Sequence, residues 1–231
     1  MIGWIAGGAV LAGGAYLAPP MALRALQTRS LSARCARTRS LVLTFDDGPS
    51  KGLTPRVLDL LGSRGAKATF FLLGRRVQSA PDVVERAVSE GHEIGCHSRD
   101  HAHAWKTMPW TTPLDIRRGF ADVKEWSTRP IFRAPYGKLT LPGLLAAWGR
   151  ASGLGWWTVD SQDTWADPRS PEQTAEAVRE RAGGVVLLHD HDRGEERASL
   201  VLALVERLLD LADAELLSVR TLGDVLRGSD G

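Results

Sequence analysis

The chain has 231 residues, 43% of them hydrophobic and 24% charged, with 29 Lys and Arg against 27 Asp and Glu. This balance suits one large domain or two small ones with an ample core, and it excludes disorder, collagen and coiled coil. A net charge of +2 also excludes a chain-wide basic surface for nucleic acid. The charge is unevenly placed: no side chain from Met1 to Leu23 is charged, and Arg24, Arg29, Arg34, Arg37 and Arg39 all precede the first acid, Asp46. The body from Ser40 onward is therefore mildly acidic. Cys35 and Cys96 are too few for a disulfide framework and are expected as free thiols.

Ile2 to Ala18 is uncharged and rich in Gly and Ala. As a helix rising about 1.5 Å per residue, it just reaches across a hydrocarbon core. It lacks the basic start and Ala-x-Ala exit of a cleaved signal peptide, and it has no polar face. A single membrane-anchor helix within residues 1–23 is predicted, ended by Pro19-Pro20. An arginine-rich arm, residues 24–40, follows. Arginines on that flank favour holding the downstream domain, residues 41–228, on the cytoplasmic side.

From Leu41 the pattern alternates. Leu41 to Phe45 reads as a buried strand entering the loop Asp46-Asp47-Gly48-Pro49. Helical spacing follows over 55–64, then a strand over 68–73 and a helix over 81–90. Next come a strand over 93–96, a helix over 114–126, a short strand at Ile131-Phe132 and a helix over 141–150. A strand over 155–159, a helix over 171–181, a strand over 185–188 and a helix over 198–211 lead to a last strand near 216–219 and a short terminal helix. Repeated strand-then-helix units predict an α/β fold, a distorted (β/α) barrel of about seven parallel strands. In such barrels the residues just after each strand converge on one face.

Those positions carry the chemistry. Asp46 and Asp47 are adjacent carboxylates, a repulsive pair unless a cation or an arginine compensates. His97 and His101 stand four apart, a spacing that on a helical turn brings both imidazoles to one metal. Arg133 is placed to neutralise an aspartate through its fork of donors, and Pro135 with Gly137 fixes a loop able to aim a backbone N–H at an oxyanion. Asp160, Asp163 and Trp165 follow the next strand, and Leu187-Leu188 delivers His189, which a carboxylate could orient as a general acid. Asp190-His191-Asp192 reads as a solvated loop, and His92 and His103 as bystanders. An aspartyl-phosphate phosphohydrolase is disfavoured, because its two aspartates are separated by one residue and it has no use for His97 and His101.

Taken together, Thr44-Phe45-Asp46-Asp47-Gly48-Pro49, His97-Ser98-Arg99-Asp100-His101, Arg133-Ala134-Pro135-Tyr136-Gly137, Asp160-Ser161-Gln162-Asp163 and Leu187-Leu188-His189 resemble the five ordered motifs of the polysaccharide deacetylase family. The likeness runs over about Leu41 to Arg227. It implies hydrolysis of an N-acetyl, or sometimes an O-acetyl, group on a sugar of a polysaccharide, oligosaccharide or lipid-linked glycan. By the resemblance, Asp47, His97 and His101 would bind a divalent metal, usually zinc, although two imidazoles and a carboxylate also accept cobalt, nickel or manganese. Asp46 would be the base, tethered by Arg133, and His189 the acid. The Tyr136 N–H would face the oxyanion, and Pro135, Tyr136, Trp165 and Leu187 would bind substrate. The family's usual Asp-Trp pair is here Asp163-Thr164-Trp165, which leaves open whether Asp160 or Asp163 orients His189. The alternative to an enzyme is a silent sugar-binding module on the same barrel. The family is frequently extracytoplasmic, against the arginine flank, so the side of the membrane is open.

Overall fold

The computed structural model describes residues 2–127 and 130–228, with side chains from Gly14 onward. In chain order the elements are α1 (Ile2–Arg37), β1 (Ser40–Asp46), α2 (Leu53–Ser63), β2 (Thr69–Leu72), α3 (Gly74–Val77), α4 (Pro81–Ser89), β3 (Glu93–Cys96) and α5 (Thr111–Val123). They continue with β4 (Ile131–Phe132), a 3-10 turn (Pro135–Gly137), α6 (Leu141–Trp148), β5 (Gly153–Leu154), β6 (Val159–Asp160), α7 (Pro171–Arg179), β7 (Gly184–His189), α8 (Glu195–Ala214), β8 (Ser218–Val219) and α9 (Leu222–Arg227). Every strand pair is parallel, as strands joined by covering helices must be. The order is β5-β4-β3-β2-β1-β7-β6, with β8 beside the start of β1.

This order makes the sheet curl. A flat array of seven strands would hold its outer strands about 29 Å apart at ordinary strand spacing. Yet β5 and β6, at opposite edges, are joined by residues 155–158 alone, a link that reaches at most about 18 Å. Gly155 N–H donates to Phe132 O of β4 at 2.8 Å, and Thr158 N–H donates to Val185 O of β7 at 2.9 Å. The chain thus steps from one edge of the sheet to the other, giving an open barrel with a seam between β5 and β6. The single strand predicted over 155–159 is corrected to two short strands and this crossing. Periodicity reads an apolar run the same way whether it follows one partner or changes partners.

No helix separates β5 from β6, and α1 covers the seam instead. The Gln27 Oε1 accepts from the Trp156 indole N–H at 2.7 Å, and Leu31 and Cys35 are buried in the core. Arg34 Nη1 donates to Val225 O at 2.8 Å and Leu226 O at 2.9 Å, near the carbonyl end of α9. Two expectations are corrected here. The helix does not stop at Pro19-Pro20 but runs on to Arg37. The arginine-rich arm is the second half of that helix, packed against the barrel. Two prolines remove two helical hydrogen bonds, but both suit the first turn of a helix, so the chain can continue from them. Docking on the seam supplies what propensity lacks. Both cysteines are free, as expected, and both are buried.

The predicted membrane anchor lies for the most part on residues 2–13, whose side chains are outside the described part. Among the described residues no helix is long and apolar enough to cross a membrane.

Candidate active site

β1 is buried along its whole length, because β7 pairs it on one side and β2 and β8 share the other. It therefore carries polar groups only where they find partners. Thr44 Oγ1 donates to Val186 O at 2.6 Å and accepts from Arg133 Nη1 at 2.8 Å. The same Arg133 nitrogen donates to Asp46 Oδ1 at 2.8 Å. Arg133 is fully buried at the end of β4, with its guanidinium carbon 4.1 Å from the centroid of the Phe71 ring. Burial lowers its pKa, and Asp46 opposes that shift only in part. An ion pair this dry holds only when its donors and acceptors are met. Arg133 Nε and Nη2 accordingly donate to the carbonyls of Gly155 and Trp156, both at 3.3 Å.

Beyond β1 the chain turns sharply at Asp47, whose φ is +69°. Its Oδ1 lies 3.2 Å from His101 Nε2 and 3.6 Å from His97 Nε2. Asp46 Oδ2 also lies 3.6 Å from His97 Nε2. His97 Nδ1 sits 2.9 Å from Arg133 O, an acceptor only, so Nδ1 carries a proton and the ring is oriented with Nε2 towards the two aspartates. His101 is held neutral, its pKa lowered to about 4 by burial and by His97. Asp47 stays below the ordinary carboxylate range: burial opposes its charge, but the four imidazoles of His97, His101, His189 and His191 outweigh it. Asp47 Oδ1 is buried and has no hydrogen-bond partner, with the Nε2 atoms of both histidines turned towards it, an arrangement that a shared cation would satisfy. Among the described residues, Asp47, His97 and His101 form the cluster whose ligand atoms, all within 4.8 Å, can share an ion. Two nitrogens and one oxygen suit a hydrolytic divalent metal with positions left for water and substrate.

The two histidines converge without a helix. Residues 97–101 form a loop with positive φ at Ser98 (+65°) and His101 (+62°), correcting the helical turn inferred from their spacing. Asp115 of α5 holds this loop from behind: its Oδ1 accepts from the N–H groups of Arg99 (3.2 Å) and Asp100 (2.7 Å), and its Oδ2 from Ala102 (3.0 Å). Local backbone bonding to a carboxylate replaces the helical ladder. A Cβ on Gly119 would come within 2.4 Å of the Ser98 backbone, so α5 can lie this close only with glycine there.

Across the groove, β7 ends at His189, which pairs directly with Asp46 in the β1–β7 register. Both oxygens of the buried Asp163 serve this histidine: Oδ1 lies 2.8 Å from Nδ1, and Oδ2 accepts its backbone N–H at 2.8 Å. Asp160 instead accepts from the Gln162 N–H at 2.9 Å. Burial opposes the imidazolium of His189, but Asp163, with Asp46 and Asp47 behind it, raises the pKa to about 9. With Nδ1 tied to Asp163, Nε2 is left for the groove that His189 lines.

That groove measures about 500 Å³ and is walled by Asp46, Asp47, His97, His101, Tyr136, Trp157, Trp165, Leu187 and His189, among others. Tyr136 lies with its ring centroid 4.5 Å from that of His101. Its backbone has φ +57°, and its N–H makes no backbone hydrogen bond among the described residues.

A family model described as polysaccharide deacetylase matches residues 33–146. The peptidoglycan-N-acetylglucosamine deacetylase of Bacillus cereus is 37% identical over 175 residues, 74% of this chain and 81% of that protein. The chain belongs to the polysaccharide deacetylase family. A chitooligosaccharide deacetylase of Bradyrhizobium sp. is 35% identical over 168 residues, 70% of this chain and 75% of that one. The crystal structure of the Bc1960 peptidoglycan N-acetylglucosamine deacetylase is similar with a TM-score of 0.72 at 25% identity, covering 82% of this chain and 89% of that chain. Like its family, this polysaccharide deacetylase is a metal-dependent hydrolase that removes acetyl groups from carbohydrate.

In this deacetylase the five motifs meet at one mouth of the barrel, and Asp46, Asp47, His97, His101, Arg133, Tyr136, Asp163, Trp165, Leu187 and His189 come together there. Pro135 does not line the groove. It is buried behind the turn, where its carbonyl accepts the Lys138 N–H at 3.1 Å. Asp190 is not on a solvated loop: it is fully buried, accepts from Thr54 Oγ1 at 2.6 Å, and its carboxyl is pushed up to about 7 by burial. The neighbouring His191 Nδ1 lies 3.6 Å from Asp47 Oδ2. The sequence carries no signal for Asp115 or Trp157, since one sits on a helix with no motif and the other in an apolar run read as strand.

Proposed function

We propose that this groove removes the N-acetyl group of an amino sugar in an N-acetylglucosamine-type glycan, with Asp46 as base and His189 as acid. The observation that carries this is the direct pairing of Asp46 with His189 on adjacent strand ends, beside the Asp47, His97 and His101 cluster. Those three residues would hold a divalent cation, zinc in our proposal. When bound, it supplies the Lewis acidity that makes water a nucleophile near neutral pH.

The remaining work falls to the chain. Asp46 takes the proton from the attacking water, and its orientation is fixed because Oδ1 is committed to Arg133. The Tyr136 N–H, left without a backbone acceptor, faces the acetyl oxygen as negative charge grows there. His189 gives its Nε2 proton to the departing nitrogen, which would otherwise leave as a prohibitively basic anion. Asp163 holds that imidazole in the required tautomer. Trp157, Trp165, Tyr136 and Leu187 supply the flat and apolar walls on which a sugar ring packs. The names borne by the Bacillus cereus and Bradyrhizobium relatives favour an acetylated glucosamine polymer or oligomer as substrate.

Acetate release from N-acetylglucosamine oligomers, with zinc added, tests this reading. Wild-type protein is expected to turn over, and Asp46→Asn to lose about 10³-fold in kcat while still binding zinc. Unchanged turnover in Asp46→Asn would refute the assignment. Attachment to a membrane through the uncharged run Ile2–Ala18 belongs to the same proposal and rests on that composition; fractionation of cells expressing the full chain tests it.

A further inference from the structure

We propose that Arg24, on the N-terminal helix, is a positioning residue of the reaction: by gripping the Gly137 carbonyl it fixes the turn that aims the Tyr136 N–H into the groove. The inference rests on the deacetylase reading above and adds a part of the chain outside the five motifs.

The turn needs an outside hold. Tyr136 and Gly137 are consecutive residues in the left-handed region, at φ +57° and +61°. Such a pair, with a bulky residue first, is strained and persists only where its surroundings fix it. Within the turn, Gly137 N–H donates to Ala134 O at 2.9 Å and Lys138 N–H to Pro135 O at 3.1 Å. Neither bond restrains the Gly137 peptide plane from its far side. Arg24 Nη1 does, donating to Gly137 O at 2.6 Å from a helix more than a hundred residues earlier in the chain.

Arg24 is itself held in place. Its guanidinium carbon lies 4.7 Å from the centroid of the Trp157 ring and 5.3 Å from that of Trp156, close enough for cation–π attraction. Of the two rings, Trp157 also walls the groove. The packing is tight: a Cβ on Gly137 would lie 2.5 Å from Trp157 and 2.6 Å from Arg24 Nη1. The seam of the barrel, lacking a helix between β5 and β6, thus takes from α1 both a cover and a donor that reaches the rim of the active site. An N–H that meets the acetyl oxygen only as charge develops acts on kcat more than on KM.

Three variants of the full chain test this, read by acetate release from an N-acetylglucosamine oligomer with zinc and by amide hydrogen exchange at Gly137 and Lys138. Arg24→Met keeps an apolar stem against the tryptophans and removes the donor. It is expected to lower kcat about 10- to 100-fold with KM and zinc affinity unchanged, and to speed exchange in the turn. Arg24→Lys, which restores one charged donor, should recover most of the loss. Gln27→Leu removes a neighbouring bond between helix and seam and should leave kcat as in the wild type. An active wild type whose kcat and exchange do not respond to Arg24→Met would overturn this inference and leave the deacetylase reading intact. An equal loss in Gln27→Leu would overturn it in favour of general docking of the helix. A zinc-loaded wild type that releases no acetate would sink the parent reading and this one together.

Discussion

At the residue scale, the site is built from charges that are costly singly and stable in pairs. Arg133 and Asp46 are both buried and bonded at 2.8 Å, so removing one leaves the other charged and dry. Arg133→Met is expected to cost about 3–5 kcal/mol of folding stability, measured by urea denaturation; Arg133→Met with Asp46→Asn should recover part of that loss. His189 and Asp163 form the second pair. Because the folded pKa of His189, about 9, exceeds its unfolded value of about 6.5, the pair's contribution to folding is fully present below pH 6.5 and is lost as pH rises through 9. In the proposed mechanism catalysis follows the same group, since only the protonated imidazole can serve the leaving nitrogen. Asp163→Asn removes the charge that holds the proton, so the alkaline limb of the kcat/KM profile should move to lower pH. A limb that stays in place would assign the acid elsewhere. These pairings were legible in part. The motifs named Asp46, Arg133 and His189, but choosing Asp163 over Asp160 required knowing that the chain after β6 turns back towards β7.

At the element scale, most of the strand-and-helix alternation could be read because each parallel strand is a short apolar run and each helix shows one apolar stripe. Two places resisted. The run over 155–159 changes sheet edges in the middle, which no local pattern records. The His97–His101 segment suggested a helical face, whereas a carboxylate thirteen to sixteen residues later in the chain, Asp115, satisfies the loop's N–H groups. Long-range satisfaction of backbone donors leaves no trace in spacing. It does leave a prediction: Asp115→Ala should free the loop that carries both imidazoles and weaken zinc binding about 10- to 100-fold, read by competition with a chelating dye. Unchanged affinity would show that β3 and His97 alone set the site.

At the scale of the whole molecule, the topology brings the motifs together. A sheet that curls until β5 and β6 are joined by residues 155–158 places the C-terminal ends of its strands around one mouth, where Asp46, His189 and the Asp47, His97 and His101 cluster share a groove. The part least legible in sequence was α1, because an arginine-rich stretch after an apolar run looks like a flank and only tertiary packing reveals it as the cover of the seam. In the proposed mechanism Asp47, His97 and His101 hold one cation beside Asp46, and hydrolysis depends on it. The most direct test is acetate release from an N-acetylglucosamine oligomer as zinc is titrated into chelator-stripped protein. Activity should be absent at the start and rise to a plateau at one equivalent. Full turnover in the stripped protein, or the same rise with His101→Ala, would contradict the account.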